Sequence, residues 1–406
     1  MLQRMYSGNM AVIELDGGKK TTFPYDTGVK QGAKEAPALF KFLMQALVEV
    51  MAKETRSPGL IFETNMAQEG KNKGQLTGAA SQEKGKSFRM ACILYADDEA
   101  DLCESRKTLT ETLEAMDKTA ERLGLQPHTG TQATATTKAT TSKTLAMFIR
   151  GTGNQAKADT APIKLSRNRQ ITFTQRFQYL GAIVNTSLTD QEEVETRMGK
   201  ASGQFGALRA QVFAAKDISF VAKRAAYEAL VLSTLLHGAE TWTMTAKMWR
   251  QLHAWHQARI RQICRVNRWH TRWHHISNHE LHQRTGIQPI EYYIRKRTLQ
   301  WVGRVARMGP ERLPRRLLTA WVRHPRPQQA PKATYGRTVL EHLEAAEIAT
   351  DFQTWTKLAQ EQTTWENLIR ENLQTRTKQL HERKEEKKRE AESLKEFIVT
   401  DDSNSE

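Results

Sequence analysis

Cysteine, acidic charge and long apolar runs are all scarce in this 406-residue chain. Cys92, Cys103 and Cys264 are too few and too scattered for a disulfide framework or a cysteine zinc site, which points to a reducing compartment. No apolar run reaches the ~18 residues of a membrane span, and the opening Met1-Leu-Gln-Arg-Met-Tyr-Ser7 has no signal-peptide core. An intracellular, soluble protein, nuclear or cytoplasmic and without a membrane partner, is the expectation. Asp and Glu total 45 against 61 Lys and Arg, a net charge of +16. That excess favours polyanionic partners, nucleic acid first, although a merely basic soluble protein has the same balance.

The most informative stretch is Arg89-Met-Ala-Cys-Ile-Leu-Tyr-Ala-Asp-Asp-Glu-Ala-Asp-Leu-Cys103. Two partly apolar runs meet at a tight acidic corner, which predicts a β-hairpin with Asp97 and Asp98 at its turn. Paired carboxylates at a corner repel unless a cation joins them. Mg²⁺ suits such a pair, because it takes hard oxygen ligands and is held by one or two carboxylates plus substrate phosphates. The chemistry this points to is two-metal nucleotidyl transfer; the plain alternative is a solvated turn. Upstream, Ala11–Leu15 and Thr21–Tyr25 flank a turn at Asp16-Gly-Gly and predict another hairpin. Gly28-Val-Lys-Gln-Gly32 then leads into a helix over 37–51, with Pro37 in its first turn and Leu39, Phe40, Leu43, Leu47 and Val50 on one face. A glycine loop at a helix start can present N–H groups to phosphate, or be an ordinary connection. Residues 64–87 predict an exposed loop. Leu109, Leu113, Met116, Ala120 and Leu123 predict a helix stopped by Gly124. Thr129–Ser142 is a low-complexity tract.

Tyr95-Ala96-Asp97-Asp98 between apolar strands resembles the catalytic hairpin of LINE-like, non-long-terminal-repeat (non-LTR) retrotransposon reverse transcriptases. Other segments fall in the order of that family. Gly28 to Gly32, with Pro37 and Leu39-Phe40, resembles its Gly-Val-Arg-Gln-Gly segment, departing at Ala33-Lys-Glu-Ala36. Lys143-Thr-Leu-Ala-Met-Phe-Ile149 resembles its Lys-Thr-Lys-x-Met strand, and the strand-like Phe177-Gln-Tyr-Leu-Gly-Ala-Ile-Val184 its Phe-x-Tyr-Leu-Gly signature at the palm-to-thumb junction. Leu230–Trp242, Arg284–Glu291 and Arg297–Met308 resemble its later helical segments. The resemblance implies an RNA-directed DNA polymerase in which Asp97 and Asp98 hold Mg²⁺ or Mn²⁺. Tyr95, Ala96, Gln31 and Gly32 would line the template–nucleotide pocket, and Lys143 would attend the triphosphate. An RNA template, a DNA primer and deoxynucleotide triphosphates are the implied partners. The family's earlier Asp-x-x-x-Ala-Phe-Asp motif is missing, and Asp16, in a turn, does not replace it. The chain is therefore expected to begin after the fingers and first palm strand, to bind nucleic acid, and to polymerise poorly. No endonuclease constellation is visible.

Beyond this, Val194, Met198, Ala201, Phe205, Leu208 and Val212 form a helical stripe, read as core. Arg197, Lys200 and Arg209 are expected on the opposite face, toward a template–primer backbone. From Ile218 the chain reads all-helical and basic. Seven of the nine tryptophans fall between Trp242 and Trp321, interleaved with arginines that include Arg259, Arg265, Arg268, Arg272 and Arg304. Guanidinium groups neutralise phosphate and flat rings stack on unpaired bases, yet tryptophan at helical spacing is more often core. We read most of these tryptophans as core and the arginine face as the nucleic-acid surface. His253, His256, His270, His274, His275, His279 and His282 lack a Cys/His knuckle pattern and read as structural or solvent-facing.

The expected fold is α+β, a partial polymerase palm (antiparallel sheet with flanking helices), then a helical thumb and a basic all-α C-terminal region. The expected boundaries are 1–175 for the palm, 176–240 for the junction and thumb, and 241–325 for the Trp/Arg-rich helices. A linker and terminal helical unit over 326–372 and a charged helix with a disordered acidic tail over 373–406 complete the chain. A non-catalytic nucleic-acid-binding remnant is the alternative.

Overall fold

A computed structural model describes residues 10–14, 18, 20–24, 32–55, 59–63, 87–129, 142–149, 159–167, 169–267, 269, 273–274, 276–322 and 334–402. These residues are mostly helical, with small antiparallel sheets. The chain divides into two compact units. One comprises Met1–Leu60, Met90–Ala146 and Asp159–Phe173, the other Ile61–Arg89, Met147–Ala158 and Thr174–Glu406.

In the first unit, β1 (Met10–Glu14) and β2 (Lys20–Pro24) form the expected antiparallel hairpin, with Ile13 opposite Thr21; Asp16 lies outside the described residues. Helix α1 (Ala36–Glu54) carries Pro37 in its first turn, where a missing N–H costs nothing. Strands β3 (Leu60–Glu63) and β4 (Ser87–Met90), which belong to the second unit but for their end residues Leu60 and Met90, come next in the chain; β5 (Cys92–Tyr95) and β6 (Asp98–Asp101) follow in the first unit. Helix α2 (Arg106–Arg122) starts at Ser105, whose hydroxyl accepts from the Thr108 N–H at 3.2 Å, and stops before Gly124 at φ +74°. Met44, Leu47 and Met51 of α1 bury against Leu113, Met116 and Ala120 of α2. Strands β7 (Ile163–Lys164) and β8 (Gln170–Ile171) close this core, and Asp117 of α2, almost wholly buried, holds Arg169 at 2.6 Å.

Two strand expectations need correction. Lys143–Ile149 is not a strand: Ala146 makes a single bridge to Phe173, and the Lys143 and Thr144 N–H groups both donate to the His128 carbonyl. Phe177–Val184 is a hairpin in the second unit, β9 (Arg176–Tyr179) and β10 (Ala182–Asn185). Its two-residue turn, Leu180 at φ +48° and Gly181 at φ +81°, has the double positive φ that matches strand twist.

The second unit continues with α3 (Gln191–Leu208) and a π-helical turn, Arg209–Phe213. Helix α4 (Phe220–Ala226) runs on through a π-helical stretch, Tyr227–Leu232, and a last turn, Ser233–Leu235. Then come α5 (Ala246–Ile263), α6 (Asn278–Thr285), α7 (Ile290–Ala306) and α8 (Leu313–Thr319). The short strand β11 (Trp321–Val322) joins β3 and β4 in a sheet, so the chain after Ile218 is not purely helical. Helices α9 (Tyr335–Ala345), α10 (Phe352–Leu358) and α11 (Gln362–Asp402) finish it. Asp401 and Asp402, expected in a disordered tail, close α11, while 403–406 lie outside the described residues.

Val194, Ala201 and Phe205 bury as the stripe predicts, with Met198, Leu208 and Val212 packed against them. That core continues through Tyr227, Trp242 and Met248 without a break at residue 240. A second core joins Leu299 and Val302 of α7 to Leu343, Trp355, Trp365 and Ile369. The Trp365 indole N–H donates to the Leu299 carbonyl at 2.9 Å, and its ring lies over Gly303, where a Cβ would stand 2.6 Å from Cδ1. Because the ring is fully buried and cannot swing away, Gly303→Ala should destabilise the second unit by about 1–3 kcal/mol despite alanine's better helix propensity. Chemical denaturation followed by tryptophan fluorescence measures it; an unchanged midpoint would contradict this packing.

Candidate metal and nucleic-acid site

Strands β5 and β6 pair antiparallel, Cys92 with Asp101, Ile93 with Ala100, Leu94 with Glu99 and Tyr95 with Asp98. The turn is therefore Ala96-Asp97, with Ala96 at φ +55°. Tyr95, Ala96, Asp97 and Asp98 are all exposed at the tip, as the sequence predicts. Alternation then separates two faces. Tyr95 and Asp98 share one. Leu94, which packs against the first unit's core, shares the other with Cys92, Glu99 and Asp101.

Ligand atoms of Cys92, Glu99 and Asp101 lie within 4.8 Å of one another, the sole such trio of His, Cys, Asp or Glu among the described residues. Burial, then the Asp101 charge, pushes the Glu99 carboxyl up to about 7, and burial pushes Asp101 up to about 6. The Cys92 thiol rises to about 11, through burial and the two acids. Glu99 Oε1 is buried without a hydrogen-bond partner among the described residues. A thiol with two carboxylates fits a borderline ion such as Zn²⁺ better than Mg²⁺. The strand alternation shared with Leu94 was the available signal for this trio, and the reading centred on the turn missed it.

Asp97 and Asp98 offer two exposed carboxylates to Mg²⁺, and no third His, Cys, Asp or Glu clusters with them among the described residues. Gln31 lies outside the described residues. Gly32, at φ +88°, precedes α1, and Lys143 is exposed beyond α2. These residues sit on separate elements of the first unit.

On the helical unit the basic residues divide into two groups. Lys200, Arg209, Arg265 and Arg304 are exposed. Arg197 is not on the open face: it is buried, pairs with buried Glu193 at 2.6 Å and donates to the Gly181 carbonyl. A helical step of three from Val194 brings it to the margin of the core stripe. Arg259 is half-buried over the Phe205 and Trp255 rings and donates to Ser202. Trp242, Trp255, Trp355 and Trp365 are core. Trp269 and Trp273 are exposed and stacked on each other, centroids 5.4 Å apart, a flat aromatic surface beside Arg265 in sequence; neighbouring Arg268 and Arg272 lie outside the described residues.

His256 and His282 are structural. His256, fully buried, donates through Nε2 to the Gln288 carbonyl and accepts from the Tyr227 hydroxyl at Nδ1. His282 donates through Nδ1 to the Ile287 carbonyl and accepts from Gln257. Both rings are satisfied only when neutral. His270 and His275 lie outside the described residues. No helix among the described residues is long and apolar enough to cross a membrane. No protein-family model matches the chain, and no curated protein matches it.

Proposed function

We propose that the chain is part of a reverse transcriptase of the non-LTR retrotransposon type, holding an RNA template and DNA primer on the basic surface of its helical unit. The observation that carries the reading is the Tyr95–Asp98 register, which sets Asp97 in the two-residue turn and Asp98 next to it at the start of β6, two adjacent exposed carboxylates. Asp97 and Asp98 would hold Mg²⁺ there, and the ion would offset charge on a deoxynucleotide triphosphate. Lys200, Arg209, Arg265 and Arg304 would neutralise backbone phosphates, and the Trp269–Trp273 pair offers a stacking platform for an unpaired base.

A second reading, a binder without catalysis, draws on the fact that no further ligand joins Asp97 and Asp98 among the described residues. Primer extension on an RNA template and hydrogen exchange separate the two. Extension that Asp97→Asn lowers at least ~100-fold, equivalent to about 2.7 kcal/mol of barrier, with Mg²⁺ and nucleotide slowing exchange over 92–101, supports the polymerase. Absent extension, with RNA protecting the helical unit alone, assigns the chain to binding. If RNA protects neither unit, both readings fail.

A further inference from the structure

The inner surfaces of α5, α6, α7 and α11 enclose a cavity of about 540 Å³ within the second unit. Its charge is one-sided. Arg250, Arg261, Arg295 and Arg376 line it, and Glu291 is the sole acid among its lining residues. Glu291 accepts from His253 through one carboxylate oxygen, at 2.5 Å, while its Oε2 is buried without a hydrogen-bond partner among the described residues. The Nε atoms of Arg295 and Arg376 are buried and have no acceptor among the described residues. A buried donor left unmade costs about 1–3 kcal/mol, more when charged. Burial acts most strongly against the Arg295 cation; Glu291 supports it by more than the neighbouring Arg376 opposes it, and Glu341 supports it too. One carboxylate therefore stands among four lining guanidinium groups in a concave, half-closed space.

We infer that this cavity is a binding site for a phosphate monoester of nucleotide size, gripped by Arg295 and Arg376. The phosphate oxygens accept from guanidinium N–H groups of the two side chains, the charge-assisted contact that arginine makes with phosphate. Tyr292, Pro289, Leu373 and Leu380 also line the cavity, apolar surface that suits a sugar or base. The volume falls in the range of small-ligand sites, roughly 300–1,000 Å³, and cannot admit a duplex. The phosphate can belong to a free nucleotide or to the 5′ end of a strand. The site stands whether or not the hairpin at Asp97 is catalytic.

Calorimetric titration of the full chain tests this with inorganic phosphate, thymidine monophosphate, and a dinucleotide with and without a 5′-phosphate. Binding of thymidine monophosphate is expected, weakened at least tenfold in Arg376→Gln. The exposed Lys247→Gln, on α5 but outside the cavity lining, should bind as the parent does. Arg250→Gln, at an exposed lining position, serves as a second variant should Arg376→Gln fail to fold. A dinucleotide that needs its 5′-phosphate, and binds more tightly than the mononucleotide, assigns the site to strand ends. Equal affinity assigns it to free nucleotides, and phosphate binding as well as either assigns it to the phosphoryl group alone. No binding of any probe at roughly 10 mM, the weak end of measurable affinity, overturns the inference. So does equal weakening in the cavity variants and Lys247→Gln, which would mark diffuse surface charge.

Discussion

Replacing Arg197 by methionine is expected to cost the second unit about 3–5 kcal/mol, because it strands a buried carboxylate. Glu193 would keep only the Ile183 N–H, at 2.9 Å, to meet its charge. The Gly181 carbonyl would lose the guanidinium that ties the β9–β10 turn to α3. Adding Glu193→Gln to the same chain should recover much of the loss, since removing both charges together leaves none unpaired. A loss of nucleic-acid binding in Arg197→Met would accordingly track unfolding. Lys200→Gln, on the exposed face, should instead leave the denaturation midpoint unchanged while reducing the salt dependence of nucleic-acid binding by about one counterion. Denaturant melts and salt titrations of both variants distinguish the two roles. A stable Arg197→Met that binds weakly would restore Arg197 to the binding surface.

Acidification should unfold the second unit from within. His256 and His342 are almost wholly buried. Burial holds both near 3, helped at His256 by His282 and at His342 by Arg295; burial also lowers His282. In the unfolded chain each histidine takes a proton near its ordinary 6.5. Between that value and 3 the unfolded state binds more protons than the native one. Stability is thus complete above about pH 6.5 and declines as pH falls, by roughly 1.4 kcal/mol per pH unit for each buried ring. Two rings acting from 6.5 to 4.5 would remove about 5 kcal/mol, comparable with the whole stability of a modest domain. All nine tryptophans belong to the second unit, so their fluorescence reports on it alone. A fluorescence-detected midpoint that holds constant from pH 7 to 4.5 would refute the assignment. The first unit should respond with opposite sign. Glu99 and Asp101, raised by burial, favour the protonated native state, and their contribution is lost as pH climbs through about 6 to 7.

What was readable in the residues, and what was not, follows from how local each signal is. The Tyr95–Asp98 corner is a local pattern, alternation around two small acids, and the hairpin forms there with its turn one residue earlier than expected, at Ala96-Asp97. So do α1 and α2, whose starts and stops are set by Pro37, Ser105 and Gly124. The Leu180-Gly181 turn was missed because leucine at positive φ carries no compositional mark. Glu99 and Asp101 were missed because acids on a core-facing side of a strand break the polar-out expectation; places where that rule fails are often functional or strained. Arg197 was placed on the wrong side although its partner stood four residues earlier, the spacing of an intrahelical ion pair. Burial of that pair depends on the β9–β10 turn, information that no helix pattern holds.

The backbone passes from one unit to the other at 60/61, 89/90, 146/147, 158/159 and 173/174. Like a seam sewn back and forth, this threading means that no single cut yields two whole pieces. An expression boundary at residue 173 would deprive the helical part of Ile61–Arg89 and Met147–Ala158. Long sequence separations between partners also slow the search for the native arrangement. Genetic dissection of this molecule therefore works by point substitution, and truncation series would report broken seams in place of separated activities.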